Sequence, residues 1–368
     1  MVVLTPEQSD VLSRCMEWAK SPAQHFTVGG HAGTGKSTLL SILLDSYPDV
    51  PVAAFTGKAA YVLRTKGIER AQTLHSLLYR SFKHRDGRWV HQLKSRSEIK
   101  APFVAIDEGS MLSLKLWKDL KALNLPCLIF GDHGQLPPIG DSPLLMENPM
   151  ARLETIHRQA LGSPIIALSQ AIRAKQPFID PSPPRLHYAK SVSELACDTS
   201  WQFIVGFNQI RHEINRTIRR LLQRSSPAPE VGDRMICLAN NQELNLFNGL
   251  IGTIEALEKS TESIDFAPKD YPGFFYRANL RLEDGSLLDD VPVSPTHFLT
   301  DAADKTCRQL GYFDYAYAIT CHKAQGSQFP SVVVIDSRAD RLWDLARWRY
   351  TAVTRASENL IFVSKESS

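Results

Sequence analysis

The chain has 368 residues, of which 43% are hydrophobic and 22% are charged, and its formal net charge is +3. This composition is typical of a globular protein of two or three domains, and a polyanionic partner would have to be bound by local basic clusters. Its six cysteines include no C-x-x-C pair, which argues against a disulfide framework and a zinc site. Without an apolar run long enough to span a bilayer, we expect a cytoplasmic protein with no membrane partner.

The first helix is predicted from residue 4 to residue 20. Thr5 is a candidate N-cap, Pro6 stands at the first helical position, and Gln8 has the spacing of a capping-box partner. Capping explains Gln8 fully. Its amide also has the donor and acceptor needed to read an adenine edge, and we keep both interpretations.

The segment GHAGTGKS at residues 30–37 matches the phosphate-binding loop pattern G-x-x-x-x-G-K-[ST] at every fixed position. A short strand is predicted before it and a helix after it. The glycines let backbone N–H groups surround a polyphosphate, Lys36 adds a mobile charge, and Ser37 is placed to bind Mg²⁺. The predicted cofactor-binding residues of this region are Gln8, Gly33, Thr34, Gly35, Lys36, Ser37 and Thr38.

Polar turns follow the next apolar strands. Phe55 and Thr56 end one strand, and Thr73 and His75 lie in a second turn. In an open parallel sheet, loops at the carboxyl ends of strands line the ligand face. Helix capping is the alternative explanation for Thr56 and Thr73.

Residues 79–96 alternate around Asp86-Gly87, a dipeptide typical of a two-residue hairpin turn. Basic residues dominate this segment: Arg80, Lys83, Arg85, Arg88, Lys94 and Arg96. Together with Phe82 and Trp89 they would suit nucleic acid, through phosphate attraction and base stacking. A solvated hairpin without a binding role is the alternative.

Two further strand ends carry candidate catalytic groups. An apolar strand at residues 103–106 runs into Asp107-Glu108, and adjacent carboxylates there are costly unless they serve a cation. We expect Asp107 to hold Mg²⁺ and Glu108 to orient the attacking water. After the next strand, Gln135 is placed to contact the γ-phosphate or that water.

In chain order, the segments GHAGTGKS, AAFTGKAA, TLHSLL, AIDEGSM, GDHGQLPPIG, ETIHRQ, ITCHKAQGSQF and YTAVTRA resemble the motifs of superfamily 1B DNA helicases of the RecD and Dda type. The resemblance implies an α/β fold with two RecA-like P-loop NTPase domains, parallel sheets, and ATP in the cleft between them. It implies domain 1 at residues 1–150 with a hairpin insertion at about 79–98, domain 2 at 151–240 and 314–368, and an SH3-like all-β insertion at 241–313.

The resemblance also implies site residues. Arg158 and Arg355 would reach the γ-phosphate, completing a catalytic set with Lys36, Asp107, Glu108 and Gln135, and Gly326 would lie nearer the nucleotide. The implied DNA-binding residues are Phe55, Thr56, Thr73, His75, Pro137, Asn208, Thr320, His322 and Lys323. Phe55 stands where the family usually has proline, so it is either a core residue or a base-stacking one. The implied wedge residues are Phe82, Arg85, Arg88 and Trp89.

We therefore expect an ATP- and Mg²⁺-dependent helicase that moves 5′ to 3′ on single-stranded DNA and separates duplex junctions, as a monomer and with other replication or recombination proteins as possible partners. Two alternatives are a DNA-stimulated translocase that does not unwind, and an ATP-gated clamp on single strands. Arg211, Arg216, Arg219 and Arg220 lie on one predicted helix, and we expect most of them to face solvent.

Overall fold

Short apolar segments form the strands of a parallel sheet around the phosphate loop. In chain order the strands of this part are β1 (His25–Gly30), β2 (Val52–Ala54), β3 (Gln72–Thr73), β4 (Tyr79–Lys83), β5 (Trp89–Leu93), β6 (Val104–Asp107), β7 (Cys127–Gly131) and β8 (Ala151–Leu153). Six of them pair in the order β3-β2-β6-β7-β1-β8, and every pairing is parallel. Their carboxyl ends therefore lie along one edge.

The structure is a computed structural model that describes residues 3–83, 89–138, 140, 142–155, 163–176, 186–189, 200–241, 243–244, 246–263, 272–300, 310–336 and 344–363. The chain forms two compact units. Unit 1 comprises Met1–Leu186, Gly326–Gln328 and Ala339–Arg355, and unit 2 comprises His187–Gln325, Phe329–Arg338 and Ala356–Ser368. Unit 1 thus includes residues 151–186, which we had assigned to a second domain, and the predicted domain boundaries remain a prediction.

The helices are α1 (Pro6–Ala19), α2 (Lys36–Ser46), α3 (Gly57–Thr65), α4 (Leu74–Leu78), α5 (Leu114–Ala122), α6 (Pro164–Arg173), α7 (Asn208–Leu221), α8 (Thr296–Thr300), α9 (Cys321–Ala324) and α10 (Leu345–Val353). Helix α1 begins with the predicted capping box of Thr5 and Gln8. Thr56 and Thr73 cap α3 and α4 through their side chains. Within the described ranges, none of the helices has the length and hydropathy to cross a membrane.

The core of unit 1 lies on both faces of its sheet. Successive residues of a strand point to opposite faces, so Leu128 packs with α1 and α2 while Ile129 packs with α4 and α5. On the first side, Leu39, Leu40 and Leu43 of α2 are each at most 1% exposed. Burial of a leucine side chain contributes about 1.5–3 kcal/mol, so this packing fixes the helix that follows the phosphate loop.

The predicted hairpin is present as the antiparallel pair β4 and β5, in which Phe82 faces Val90. Several of its basic residues bind the protein itself at the hairpin base. The Arg80 Nη2 atom lies 2.7 Å from a Glu98 oxygen, Lys94 donates to the carbonyls of Ser76 and Leu77, and Arg96 donates to those of Ile99 and Ala101. The turn at Asp86-Gly87, with Arg85 and Arg88, lies outside the described residues.

Unit 2 has a second sheet, with the strands β9 (Leu186–Ala189), β10 (Gln202–Val205), β16 (Ala318–Thr320), β17 (Phe329–Ile335) and β18 (Ala356–Val363). Their order is β16-β10-β17-β18-β9. The pairs among β16, β10, β17 and β18 are parallel. Together with unit 1, this confirms the predicted α/β class with two parallel sheets.

An antiparallel sheet lies between β10 and β16 in sequence. It comprises β11 (Arg234–Cys237), β12 (Ile251–Ser260), β13 (Phe275–Leu282), β14 (Leu287–Val293) and β15 (Phe313–Tyr315), in the order β14-β13-β12-β11-β15. The β13–β14 connection turns at Asp284-Gly285, where Gly285 has a φ of 84°. An antiparallel insertion is therefore present, although its sheet begins at Arg234 and the segment also contains the short helix α8. Its SH3-like character stays a prediction.

Two details of unit 2 correct the sequence predictions. The continuous apolar run at residues 315–319 predicts one core strand, but Tyr315 pairs with Met235 in the antiparallel sheet while Ala318 pairs with Phe203 in the parallel one. The Asn215 amide supports the break by bonding the backbone of Tyr315 and Ala318.

The second correction concerns the arginines of α7. Arg211 and Arg219 are buried, and they pair with Asp314 and Asp233 at 2.6 and 3.2 Å. Burial of an arginine requires such partners. Arg216 and Arg220 are exposed, as expected.

Candidate nucleotide and nucleic-acid sites

The phosphate loop joins β1 to α2. Gly33 and Gly35 have φ values of 81° and 87°, a region that favours glycine because it lacks a Cβ atom. A Cβ atom on Gly30 would lie 2.6 Å from Thr34 Oγ1, so this glycine permits a close approach. The Lys36 ammonium donates to the carbonyls of Gly30 and His31 at 2.6 and 2.9 Å. The loop thus gathers its lysine and its backbone donors at the carboxyl end of β1.

Gln8 contacts this loop as well as capping α1. Its Oε1 atom accepts from the Thr5 amide at 3.0 Å, and its Nε2 atom donates to the Thr34 carbonyl at 3.1 Å. The side chain is only 2% exposed. The capping interpretation is confirmed, and the same side chain stabilises the phosphate loop.

Asp107 and Glu108 stand at the end of β6. Glu108 has a φ of 54°, which is unusual for a residue with a side chain, and its amide donates to Asp107 Oδ1 at 2.9 Å. Burial raises the pKa of both carboxyl groups, and together with the Asp107 charge it raises the pKa of Glu108 to about 7. A general base works best with a pKa near the operating pH.

Basic groups act on this pair from other parts of unit 1. The charges of Arg355 and Lys36 lower the pKa of Glu108, and the charge of Lys36 also lowers that of Asp107. A charge shifts the pKa of another group in this way only when the two groups lie close together. The structure therefore brings together four of the predicted catalytic residues.

Arg355 follows α10 and is 5% exposed. Its guanidinium donates to the carbonyls of Thr351 and Ser327 and to Thr354 Oγ1, at 3.0–3.1 Å. Those hydrogen-bond partners are neutral, so the guanidinium forms no ion pair through them. Arg158, the other predicted arginine, lies outside the described residues.

Gln135 is held in the loop after β7. Its Nε2 atom lies 3.5 Å from Asp132 Oδ2, and its buried Oε1 atom has no hydrogen-bond partner among the described residues. A buried polar atom without a partner is costly, so a ligand or water that donates to Oε1 fits this position. Ser37 in the first turn of α2 and Asp107 offer the oxygen ligands that Mg²⁺ prefers.

The predicted DNA-binding residues of unit 1 follow β2 and β3, and β2 is the direct neighbour of β6 in the sheet. Phe55 and Thr56 follow β2, and Thr73 ends β3, whereas the phosphate loop and Glu108 follow β1 and β6. His75 is exposed and its ring stacks on Tyr79 with centroids 5.6 Å apart. The parallel strand order thus places both sets of residues along one edge, with the DNA-binding residues after β2 next to Asp107 and Glu108 after β6.

Pro137 and Gly326 are the remaining predicted site residues of unit 1. Pro137 is half-buried, two residues after Gln135. Gly326, expected nearer the nucleotide, contacts α3: a Cβ atom built on it would lie 3.2 Å from Ala59 Cβ and 3.7 Å from Thr56 Oγ1. Its role stays a prediction.

The predicted DNA-binding residues of unit 2 also follow parallel strands. Asn208 begins α7 after β10 and is exposed, and Thr320 ends the neighbouring strand β16. Lys323 donates to Asn248 Oδ1 at 2.8 Å, and burial lowers the pKa of both His322 and Lys323. These four residues share one sheet edge.

Of the predicted wedge residues, the structure describes Phe82 and the backbone of Trp89, while Arg85 and Arg88 lie outside the described residues. Phe82 is 45% exposed and Val90, opposite it, is 37% exposed. The backbone of Trp89 belongs to β5. An exposed apolar pair on a basic hairpin is consistent with a nucleic-acid contact.

Sequence reasoning did not single out two residues that the structure places beside the phosphate loop. The hydroxyl of Tyr350 lies 2.6 Å from Asp132 Oδ2 and 3.1 Å from the Ala32 amide. Both residues occur in the motifs quoted above, YTAVTRA and GDHGQLPPIG. Their position in those motifs was the signal that could have identified them.

Two family models match the chain. Residues 3–180 match an AAA domain, and residues 315–363 match a UvrD-like helicase C-terminal domain. The chain is 26% identical over 402 residues to the ATP-dependent RecD2 DNA helicase of Deinococcus radiodurans, covering 99% of the chain and 50% of that protein. It is 27% identical over 186 residues to the ATP-dependent DNA helicase dda of Enterobacteria phage T4, covering 46% of the chain and 42% of that protein.

The fold is similar to solved structures over the whole chain. A structure of Bacteroides Pif1 bound to ssDNA superposes with a TM-score of 0.63 at 19% identity, covering 100% of the chain and 93% of that protein. Pif1 helicase from Candida albicans gives a TM-score of 0.57 at 18% identity, covering 99% and 94%. The chain spans about half the length of the curated relatives it matches first.

Proposed function

We propose that the chain is a superfamily 1B DNA helicase of the RecD and Dda type, an ATP-driven DNA motor that moves 5′ to 3′ on a single strand and unwinds duplex ahead of it. The observation that carries this proposal is the convergence of Lys36, Asp107, Glu108 and Arg355 in unit 1. A loop that only bound nucleotide would not need the last two.

The residues present divide the hydrolysis of ATP among them. Lys36 and the loop amides bind the phosphates, and Ser37 and Asp107 would hold Mg²⁺, which neutralises phosphate charge when bound. Glu108 accepts a proton from the attacking water, which Gln135 helps to orient. Arg355 stabilises the charge that develops on the transferred phosphoryl group, an effect worth roughly 10³–10⁵ in rate for such arginines.

Movement follows from contacts that differ between nucleotide states. In the proposal, ATP binds at the phosphate loop, Arg158 is a second arginine that contacts its γ-phosphate, and hydrolysis removes the contacts that hold the two RecA-like domains closed. A ligand with different contacts in two states shifts their populations. Each turnover then changes which domain holds the strand through the two rows of strand-end residues, Phe55 to His75 and Asn208 to Lys323.

Steady-state ATPase measurements with and without single-stranded DNA test this proposal. We expect DNA to stimulate the wild-type rate, and Glu108→Gln to lower kcat by about 10²–10⁴, the usual contribution of a general base. The exposed Glu213→Gln on α7 is the matched control and should retain the wild-type rate. Equal slow rates with and without DNA, in wild type and Glu108→Gln alike, would contradict the motor.

The remaining expectations concern the assembly. Single-stranded and forked DNA as partners are supported by the solved Pif1 complexes, while a monomeric state and a cytoplasmic location stay predictions.

A further inference from the structure

Buried polar side chains from three separate segments of unit 1 meet beside the phosphate loop. His31 belongs to the loop, Asp132 follows β7, and Tyr350 lies on α10. They are 5%, 1% and 1% exposed, respectively. Polar groups buried to this extent need partners, and these three supply them to one another.

The Tyr350 hydroxyl is the centre of this arrangement. It donates to Asp132 Oδ2 at 2.6 Å and accepts from the Ala32 amide at 3.1 Å, and it lies 3.4 Å from His31 Nδ1. Asp132 Oδ1 accepts from the Gly134 amide at 2.9 Å and lies 3.3 Å from His31 Nδ1. One hydroxyl therefore links the phosphate loop, the loop after β7, and α10.

The ionisation states suit a tyrosine that donates to a carboxylate. Burial opposes the charge on Asp132, but the His31 hydrogen bond and the Lys36 charge hold the pKa of Asp132 well below its usual range. Burial and the Asp132 charge raise the pKa of Tyr350. The proton therefore stays on the tyrosine, and a hydrogen bond to a charged acceptor is stronger than a neutral one.

The same donor atoms invite comparison with a metal site. One ligand atom each from His31, Asp132 and His133 lies within 4.8 Å of the others. Both oxygens of Asp132, however, already accept hydrogen bonds from Gly134 and Tyr350. Internal hydrogen bonding therefore accounts for both oxygens of Asp132.

A second bond in the next residue fixes α10 to the same loop. Thr351 Oγ1 accepts from the Leu136 amide at 2.9 Å. The Thr351 carbonyl in turn accepts from Arg355 Nε at 3.0 Å. The orientation of the arginine thus depends on how α10 is held against the loop that contains Asp132.

We propose that Tyr350 is a positioning residue. Through its hydrogen bonds to the Ala32 amide and to Asp132, its hydroxyl fixes the phosphate loop relative to α10, the helix that precedes Arg355. The inference rests on the proposed ATPase function. Tyr350 acts through these groups, because its hydroxyl is already bonded to the protein. Removing the hydroxyl would leave the Ala32 amide without this acceptor and Asp132 Oδ2 with only the Gln135 Nε2 atom at 3.5 Å. It would also remove the hydrogen-bonded link between the phosphate loop and α10.

Tyr350→Phe in the full chain tests this inference with a split between kcat and KM. An interaction that matters mainly in the transition state lowers kcat and kcat/KM equally, and a displacement of about 1 Å can cost about 10²-fold in rate. We expect kcat of the DNA-stimulated ATPase to fall by about tenfold or more, with KM for ATP changed much less. Loss of thermal stability with an unchanged kcat would overturn the inference.

Tyr317→Phe is the matched control. The hydroxyl of Tyr317 donates to Asp233 Oδ1 at 2.8 Å in unit 2, and Tyr317 is 1% exposed. The Tyr317→Phe variant loses the same kind of buried tyrosine–aspartate hydrogen bond, but in unit 2 and not beside the phosphate loop. We expect a comparable fall in Tm and a wild-type kcat. An equal fall of kcat in both variants would show that the effect is one of general stability and would contradict the positioning role.

A double-mutant cycle that combines Tyr350→Phe with Asp132→Asn tests whether the hydroxyl acts through Asp132. If the hydroxyl acts through Asp132, the double variant should lose no more kcat than the more damaging single variant. Losses that multiply would overturn the inference. Should Tyr350→Phe fail to fold, Asp132→Asn alone must show the same fall in kcat at similar KM. A wild-type protein without DNA-stimulated ATPase would instead refute the proposed function.

Discussion

At the residue scale, the environment of the His133 ring disfavours protonation of its imidazole. Its ring lies 4.0 Å from that of His31, centroid to centroid, and its buried Nδ1 atom has no hydrogen-bond partner in the described part of the chain. Burial, followed by the His31 charge, lowers the pKa of His133 to about 4. The other charges acting on it are those of Asp132, Arg173 and Arg152.

This shift predicts a pH dependence of stability. Because the folded pKa lies below the unfolded value of about 6.5, the unfolded state binds more protons between pH 6.5 and 4. Stability therefore falls as the pH drops through that window, by about 3 kcal/mol at most from this group. We expect His133→Gln to flatten the plot of Tm against pH in the window, whereas exposed His91→Gln should leave the slope unchanged. An unaltered slope in His133→Gln would contradict the assignment.

Phe55 was predicted to be either a core residue or a base-stacking one. It is partly buried and packs against the core on the α4 and α5 side of the sheet. This packing favours the core interpretation.

We therefore expect Phe55→Ala to cost about 1–3 kcal/mol of unfolding free energy, less than the loss for a fully buried phenylalanine. The Kd for single-stranded DNA, measured by fluorescence anisotropy on folded protein, should hardly change. Phe26→Ala, on the opposite face of the sheet, is the matched control. A tenfold weaker Kd with wild-type stability would instead indicate stacking.

The sequence identified site residues where the chemistry follows from local spacing. Lys36 and Ser37 stand at fixed positions of a loop, and Asp107 and Glu108 directly follow an apolar strand. Tyr350 and Asp132 are 218 positions apart, and their bond depends on how α10 packs. No local pattern encodes that packing.

At the element scale, the hairpin of β4 and β5 has a base that is bound to the protein and an exposed apolar pair beyond it. Arg80, Lys94 and Arg96 bind Glu98 and nearby backbone carbonyls, so three of the six basic residues of segment 79–96 support the fold. The exposed pair Phe82 and Val90 lies beyond that base. A fixed base with an exposed apolar pair beyond it is suited to separating paired bases.

Deleting residues 82–93 should abolish strand displacement while DNA-stimulated ATPase persists. The physical reason is that the hairpin lies outside the sheet edge that carries the phosphate loop. Phe82→Ala alone should slow displacement, and Glu98→Gln, which alters the base and not the tip, serves as its control. If deletion affects neither activity, or abolishes both, the wedge assignment is wrong.

The break between β15 and β16 shows why elements were harder to predict than motifs. Residues 315–319 form a continuous apolar run, which reads as one strand. The division between two sheets is supported by side chains remote in sequence: the amides of Asn215 and Gln202 bond the backbone at residues 315–318. Such long-range contacts override local strand preference.

At the scale of the whole molecule, the direction of movement is the property most dependent on resemblance. We expect a duplex with a 5′ single-stranded tail to be unwound and one with only a 3′ tail to remain intact, in a strand-displacement assay with ATP and Mg²⁺. Lys36→Ala should unwind neither, since it lacks the phosphate-binding charge. Unwinding of the 3′-tailed duplex alone would reverse the assigned polarity, and ATPase without unwinding of either would favour a translocase.

The division into units has a consequence for dissecting the protein. The chain changes unit five times, after residues 186, 325, 328, 338 and 355, so neither unit is a continuous stretch of sequence. A fragment ending near residue 186 would lack α10, with its bonds from Tyr350 and Thr351 to the loop after β7. Proteolytic cleavage at one site between residues 187 and 200 would give two fragments, and each of them would contain part of unit 1. They should stay associated under native conditions and separate only in denaturant, so limited proteolysis of this protein must be read on denaturing gels.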